Sequence, residues 1–187
     1  MVAFRRPKSL KDYLVRAKIN NSSSRESFRG VRKCKDKRCG VCNFLKLGKC
    51  FHSSVTGKSF SINYDLHCNS SNVIYLISCK VCNIQYVGST TNKFRLRFNN
   101  HRSRMKKHLK LSKEARQSDD IVYRHFGGPK HKGMDSMTIQ IIDKVNNRES
   151  LVDKEGQWAY RLRTLCPEGL NEDDFFYSQN SKSRKRT

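Results

Sequence analysis

The placement of the cysteines constrains this chain more than any other feature. Of eight, seven fall between positions 34 and 82 (Cys34, Cys39, Cys42, Cys50, Cys68, Cys79 and Cys82); only Cys166 stands apart. Residues 34–70 carry few apolar side chains, so this stretch cannot order itself around a core of its own; it needs a metal or a partner surface. The opening residues, Met-Val-Ala-Phe-Arg-Arg-Pro, contain no apolar core of an export signal. Grouped Cys and His in such a chain are expected to bind metal rather than to pair as disulfides.

Two ligand sets stand out. Cys79-x2-Cys82 has the spacing of two zinc thiolates in a tight turn, and His125-x5-His131, with Gly127-Gly-Pro between, suits the other two ligands. Cys34-x4-Cys39-x2-Cys42 supplies three more thiols, and the fourth ligand is Cys68, Cys50 or His52. The thiols left over, Cys166 among them, read as small apolar residues.

Charge sets the partner class. Lys and Arg number 39 against 16 acids, a formal charge of +23, so the expected partner is a polyanion. No run approaches the ~18–20 apolar residues of a membrane span, and the basic stretch lacks the large apolar residues of a membrane-surface helix, so no membrane partner is expected. Residues 93–116 hold ten Lys/Arg and a single acid, Glu114. Arg95, Arg97, Arg102, Arg104, Lys106 and Lys107 there, with Lys35, Lys37 and Arg38 in the Cys-rich stretch, are candidates for sequence-independent phosphate contact.

The chain divides into a basic linker (1–33), a Cys-rich segment (34–70), a folded domain (71–178) and a basic tail (179–187), the last expected to be disordered. Within the linker Ser9 could cap a helix over 10–19, ahead of a break at Asn20-Asn-Ser-Ser-Ser. Strands are predicted at 73–77, 84–88 and 137–143, and helices at 93–111, 119–126 and 149–165. The helix at 93–111 has an apolar stripe of Phe94, Phe98, Met105 and Leu109. The one at 149–165 has Leu151, Trp158, Leu162 and Leu165. Glu155 lies in that second stripe. An unpaired carboxylate is costly to bury, so an Arg, a Lys or a metal ion should meet it. Strand alternation puts Tyr75 with Val73 and Ile77, and Tyr86 with Ile84 and Gly88; the glycine suggests close approach of backbone to some other group. Arg97 and His101, four residues apart, share a helix face.

Val73-Ile-Tyr75, then Tyr86-Val-Gly88, then Arg97, His101 and a helical Glu155, resembles the GIY-YIG nuclease superfamily, with Val73 in place of the first glycine. In detail the chain is similar to the endonuclease domain of Penelope-like retroelements: Cys79 and Cys82 inside the hairpin, Thr90-Thr-Asn-Lys-Phe-Arg-Leu-Arg97, and Pro167-Glu-Gly-Leu-Asn171. The resemblance implies an α+β GIY-YIG fold, a small three-stranded antiparallel sheet flanked by helices, with zinc-binding insertions. It favours Cys68 as the fourth thiol, and it makes residues 1–20 the end of a reverse-transcriptase region, the chain being a C-terminal piece of a polyprotein.

It also assigns roles. Tyr75 is the base, or the orienter, of an attacking water; Tyr86 is its partner. Arg97 neutralises the scissile phosphate, His101 assists proton transfer or holds a tyrosine, Glu155 holds one Mg²⁺ or Mn²⁺, and Asn171 braces the site. The implied activity is a metal-dependent nick in target DNA, in the nucleus, that supplies a 3′-hydroxyl primer for reverse transcription. Element RNA and the reverse-transcriptase portion are further partners. The rival reading of the same charge and cysteines is a non-catalytic zinc-finger module that binds nucleic acid within a ribonucleoprotein.

Overall fold

The computed structural model of the chain describes residues 28–117 and 120–172. The helix expected at 10–19 and the tail at 179–187 lie outside the described residues.

The Cys-rich segment forms two small sheets. Gly30–Val31 (β1) pairs in parallel with Asp65–Leu66 (β4), and Cys50–His52 (β2) pairs antiparallel with Ser59–Ser61 (β3). Its scarce apolar residues do not make a separate core. Val31, Val41, Leu45, Phe51, Ile62 and Leu66 are buried in one cluster with the rest of the protein. The Phe51 and Phe60 rings pack at 5.1 and 5.3 Å from Trp158, and Lys46 N–H donates to the Ile139 carbonyl at 2.8 Å. The partner surface that this stretch needs is the central sheet.

That sheet is built on Val73–Cys79 (β5), an apolar, β-branched run buried on both faces and so suited to a middle strand. Gln85–Thr90 (β6) and Met137–Lys144 (β7) flank it, both antiparallel, in the order β6-β5-β7. The expected α+β fold with a three-stranded antiparallel sheet is the one observed. Strand β5 extends two residues past its predicted end, because the hairpin closes late. Cys79 N–H donates to Ile84 O, Asn83 N–H to Cys79 O, and Asn83 turns the chain at φ 63°.

The helices are Phe94–His108 (α1), Lys113–Gln117 (α2), Ile121–Phe126 (α3) and Leu151–Leu162 (α4), with a 3₁₀ turn at Gly133–Ser136. Two expected boundaries are corrected. The helix read over 93–111 stops at His108, where Lys110 N–H and Leu111 N–H bond three residues back and turn Leu109 out to 46% exposure. The buried residue there is His108, and a Cβ on Gly127 would fall 2.5 Å from its Cδ2 and Nε2. The helix read over 149–165 stops at Leu162, because Arg163 adopts the left-handed conformation (φ 56°, ψ 51°) and Thr164 N–H returns to Ala159 O. Ala159 therefore completes the apolar stripe instead of Leu165, which pairs with Asn171.

Candidate active site and metal centres

Register decides which side chains meet. Tyr75 lies opposite Gly88, and Tyr86 opposite Ile77, so the two phenols are diagonal neighbours across the glycine. A Cβ on Gly88 would fall 2.6 Å from Tyr75 Cζ and Oη and 2.8 Å from Tyr86 Cε1. The close approach foreseen at this glycine is thus by the tyrosine rings. Gly88→Ala is expected to displace one ring and to cost about 1–3 kcal/mol by overpacking. Thermal unfolding and a plasmid-nicking assay check this, and a variant unchanged in both contradicts the packing.

Helix α1 brings its inward face to Tyr75. Arg97 Nε–H donates to Tyr75 Oη at 2.8 Å, and Tyr75 Oη lies 2.9 Å from His101 Nε2. His101 Nδ1 lies 2.8 Å from Tyr123 Oη on α3. One arrangement that satisfies all three contacts has Tyr75 O–H donating to Nε2 and Nδ1–H donating to Tyr123. It requires neutral His101. Burial, then the charges of Arg97 and Arg104, hold the His101 pKa down to about 3. Burial, then the charge of Tyr86, pushes Tyr75 above the ordinary phenol range; burial, then Glu155, does the same to Tyr86.

The sign of the His101 effect is testable. Its folded pKa lies below the unfolded value of about 6.5, so the unfolded chain takes up a proton that the folded chain refuses. Stability therefore falls as pH drops from about 6.5 towards the folded value of about 3. Urea unfolding at pH 7 and pH 5 is expected to show this fall, and His101→Gln is expected to reduce it. An undiminished fall in the variant excludes a neutral buried His101.

Glu155, on α4, is buried at 7% exposure and accepts a hydrogen bond from Ser89 Oγ at 2.6 Å. Burial raises its pKa, opposed by the Ser89 bond and by the positive charge of Arg97. The inward acid therefore shares one electrostatic neighbourhood with both tyrosines and the guanidinium. Asn171 spans the backbone of Val87, accepting from its N–H at 2.9 Å and donating to its carbonyl at 2.8 Å. It thereby fixes the edge strand between Tyr86 and Gly88. Sequence reasoning missed Tyr123 and Ser89. Tyr123 was visible only as an aromatic in a short helix, and Ser89 as a polar residue beside the motif glycine.

As a magnesium donor set, one carboxylate beside a hydroxyl is spare but suitable. Mg²⁺ takes hard oxygen, keeps several waters and is commonly held by one or two carboxylates plus substrate phosphate.

Both cysteine groups close in space. The ligand atoms of Cys79, Cys82, His125 and His131 lie within 4.8 Å of one another, as do those of Cys34, Cys39, Cys42 and Cys68. The edges match a zinc tetrahedron, which from standard bond lengths measures about 3.8 Å between sulfurs and about 3.6 Å from sulfur to nitrogen. Cys79 Sγ to His131 Nδ1 and Cys82 Sγ to His125 Nε2 are both 3.5 Å. Among the thiols, Cys39–Cys68 is 3.4 Å, Cys34–Cys42 3.5 Å and Cys42–Cys68 3.8 Å, well beyond a disulfide's ~2.05 Å. Each group could hold a zinc ion. Of the three candidates for the fourth ligand, Cys68 joins the group, while Cys50 and His52 are exposed on β2.

The basic candidates separate by exposure. Arg95, Lys106 and Lys107 on α1 and Lys35, Lys37 and Arg38 in the Cys-rich segment are exposed, and Arg102 is half-buried. Arg104 is engaged locally, its guanidinium 4.6 Å from the Tyr123 ring centre and 3.7 Å from Asp120.

Among known protein families, residues 71–165 match the model of the GIY-YIG catalytic domain. No curated protein and no solved structure matches the chain.

Proposed function

The chain belongs to the GIY-YIG family of nucleases, and from that premise we propose that it is a divalent-metal-dependent DNA endonuclease that nicks its target. The observation that carries the reading is the hydrogen-bonded series Arg97–Tyr75–His101, set beside a buried carboxylate, on a helix that exposes Arg95, Lys106 and Lys107.

Arg97 moves its guanidinium from the Tyr75 hydroxyl on to the scissile phosphate, where it neutralises developing charge. That releases a lone pair on Tyr75, which accepts a hydrogen bond from the attacking water and orients it, while Tyr75 O–H stays bonded to neutral His101 Nε2; as the water adds, its proton passes to solvent. The phenol keeps its proton and never stands as tyrosinate, in keeping with its raised pKa. The water oxygen bonds to phosphorus, the P–O3′ bond breaks, and the departing oxygen is protonated by solvent to give a 3′-hydroxyl. Glu155 would hold the Mg²⁺ or Mn²⁺, which supplies Lewis-acid stabilisation of the leaving oxygen. Tyr123 and Asn171 position His101 and β6. Cys79, Cys82, His125 and His131 would hold one zinc ion and Cys34, Cys39, Cys42 and Cys68 another, and both would be structural.

The likeness to Penelope-like endonuclease domains supports a finer reading. The nick primes reverse transcription of a retroelement in the nucleus, with element RNA and a reverse transcriptase as partners. Incubation of the zinc-loaded chain with supercoiled plasmid tests the core of the proposal. Nicking with Mg²⁺ that stops on chelation is expected, along with DNA affinity that falls steeply with salt. Salt-sensitive binding without any nicking favours the zinc-finger binder instead.

A further inference from the structure

The hairpin β2–β3 and the end of α4 enclose a cleft of about 720 Å³ that the nuclease chemistry does not use. Its walls include Lys58, Phe60, Tyr160, Arg161, Arg163 and Glu168. Three cations meet one acid, and that acid is taken up by Arg163, Nη2 to Oε1 at 2.5 Å. Tyr160 is 71% exposed on a helix whose other side is packed into the core, so its ring is presented to solvent at the cleft. The Arg161 guanidinium lies 5.4 Å from the Trp158 ring centre, which keeps a planar cation at the same wall. The volume suits a ligand of nucleotide size.

We propose that this cleft is a second nucleic-acid site, which takes a single-stranded segment with one base stacked on Tyr160 and adjoining phosphates on Lys58 and Arg161. An exposed aromatic ring among cations is the combination that binds unpaired strands, since every base offers a π-face and the backbone follows the charge. A duplex hides its base faces and cannot use the ring. Tyr160 follows Glu155 by five residues, about 140° around α4 and about 7.5 Å along it, so the cleft opens away from the acid. A strand held there lies outside the cleaving site.

The test uses the full zinc-loaded chain and fluorescence anisotropy with labelled oligo(dT), oligo(rU) and a blunt duplex. Tyr160→Ala is expected to weaken single-strand binding by about fivefold or more, the loss of one stacked base. Tyr160→Phe is expected to bind as the parent does, and duplex affinity and plasmid nicking are expected to be unchanged. Loss on both oligonucleotides, or on only one, supports the site, and a loss confined to one identifies DNA or RNA as its strand. Unchanged single-strand affinity in Tyr160→Ala, or an equal loss on duplex, overturns it. Because Tyr160 takes no part in cutting, a chain that proves unable to nick but shows this Tyr160 dependence upholds the cleft and rejects only the nuclease.

Discussion

Glu155→Ala is expected to lose plasmid nicking by about 10²–10³-fold or more while duplex affinity stays within about twofold. The two readouts separate because the acid is buried and the phosphate-binding cations are not: Glu155 is 7% exposed, whereas Arg95, Lys106 and Lys107 face solvent. A carboxylate in that position, raised in pKa by burial yet within reach of the positive charge of Arg97, is well placed to hold a cation and poorly suited to packing alone. Glu155→Gln supplies the control for folding, because its amide oxygen can still accept the Ser89 hydroxyl bond made at 2.6 Å. Both variants are expected to be inactive in Mg²⁺, and Glu155→Gln to unfold close to the parent temperature. A variant that binds and nicks as the parent does removes Glu155 from the chemistry.

Cys68→Ser is expected to lower bound zinc from two equivalents to one, to cost about 4 kcal/mol or more of stability, and to slow nicking. The stability loss follows from the burial of Cys68 and from the thin apolar content of its segment, where ligand binding is folding energy. The effect on nicking has a specific route. Helix α1 has no side-chain cap at Lys93. Its first N–H groups go instead to the Cys-rich segment: Phe94 N–H to Ser70 O and Arg95 N–H to Cys68 O, each at 2.8 Å. Losing the metal at Cys68 therefore frays the turn that begins the Arg97 helix. Cys50→Ser, at an exposed position outside the cluster, is expected to keep both zinc equivalents and full activity. Metal analysis with thermal unfolding reads both variants, and two zinc equivalents in Cys68→Ser contradict the assignment.

Much of this arrangement was legible in the chain. Strand β5 announces itself as a continuous apolar run from Val73 to Ile77, and the two tyrosines, Arg97, His101 and Glu155 sit at periodicities that name their faces. The meeting of Cys34, Cys39 and Cys42 with Cys68 needed more than spacing, because 26 positions separate Cys42 from Cys68 and only the fold of the intervening hairpin closes that gap. Helix ends were misjudged where local bonding overrode periodicity: the left-handed Arg163 ended α4, and the turn at Leu109 exchanged that residue for His108 in the core. Tyr123 and Ser89 were invisible for a related reason. Each matters through one hydroxyl contact to a residue distant in sequence, and a hydroxyl leaves no periodic trace.

The most direct measurement is a crystal structure of Tyr75→Phe, a variant that keeps Glu155, soaked with a DNA duplex and Mn²⁺. An anomalous peak within oxygen-ligand distance of Glu155, with a phosphate against Arg97, is the expected result. DNA lying only along the exposed lysines and arginines, with no ion at Glu155, would contradict the nuclease.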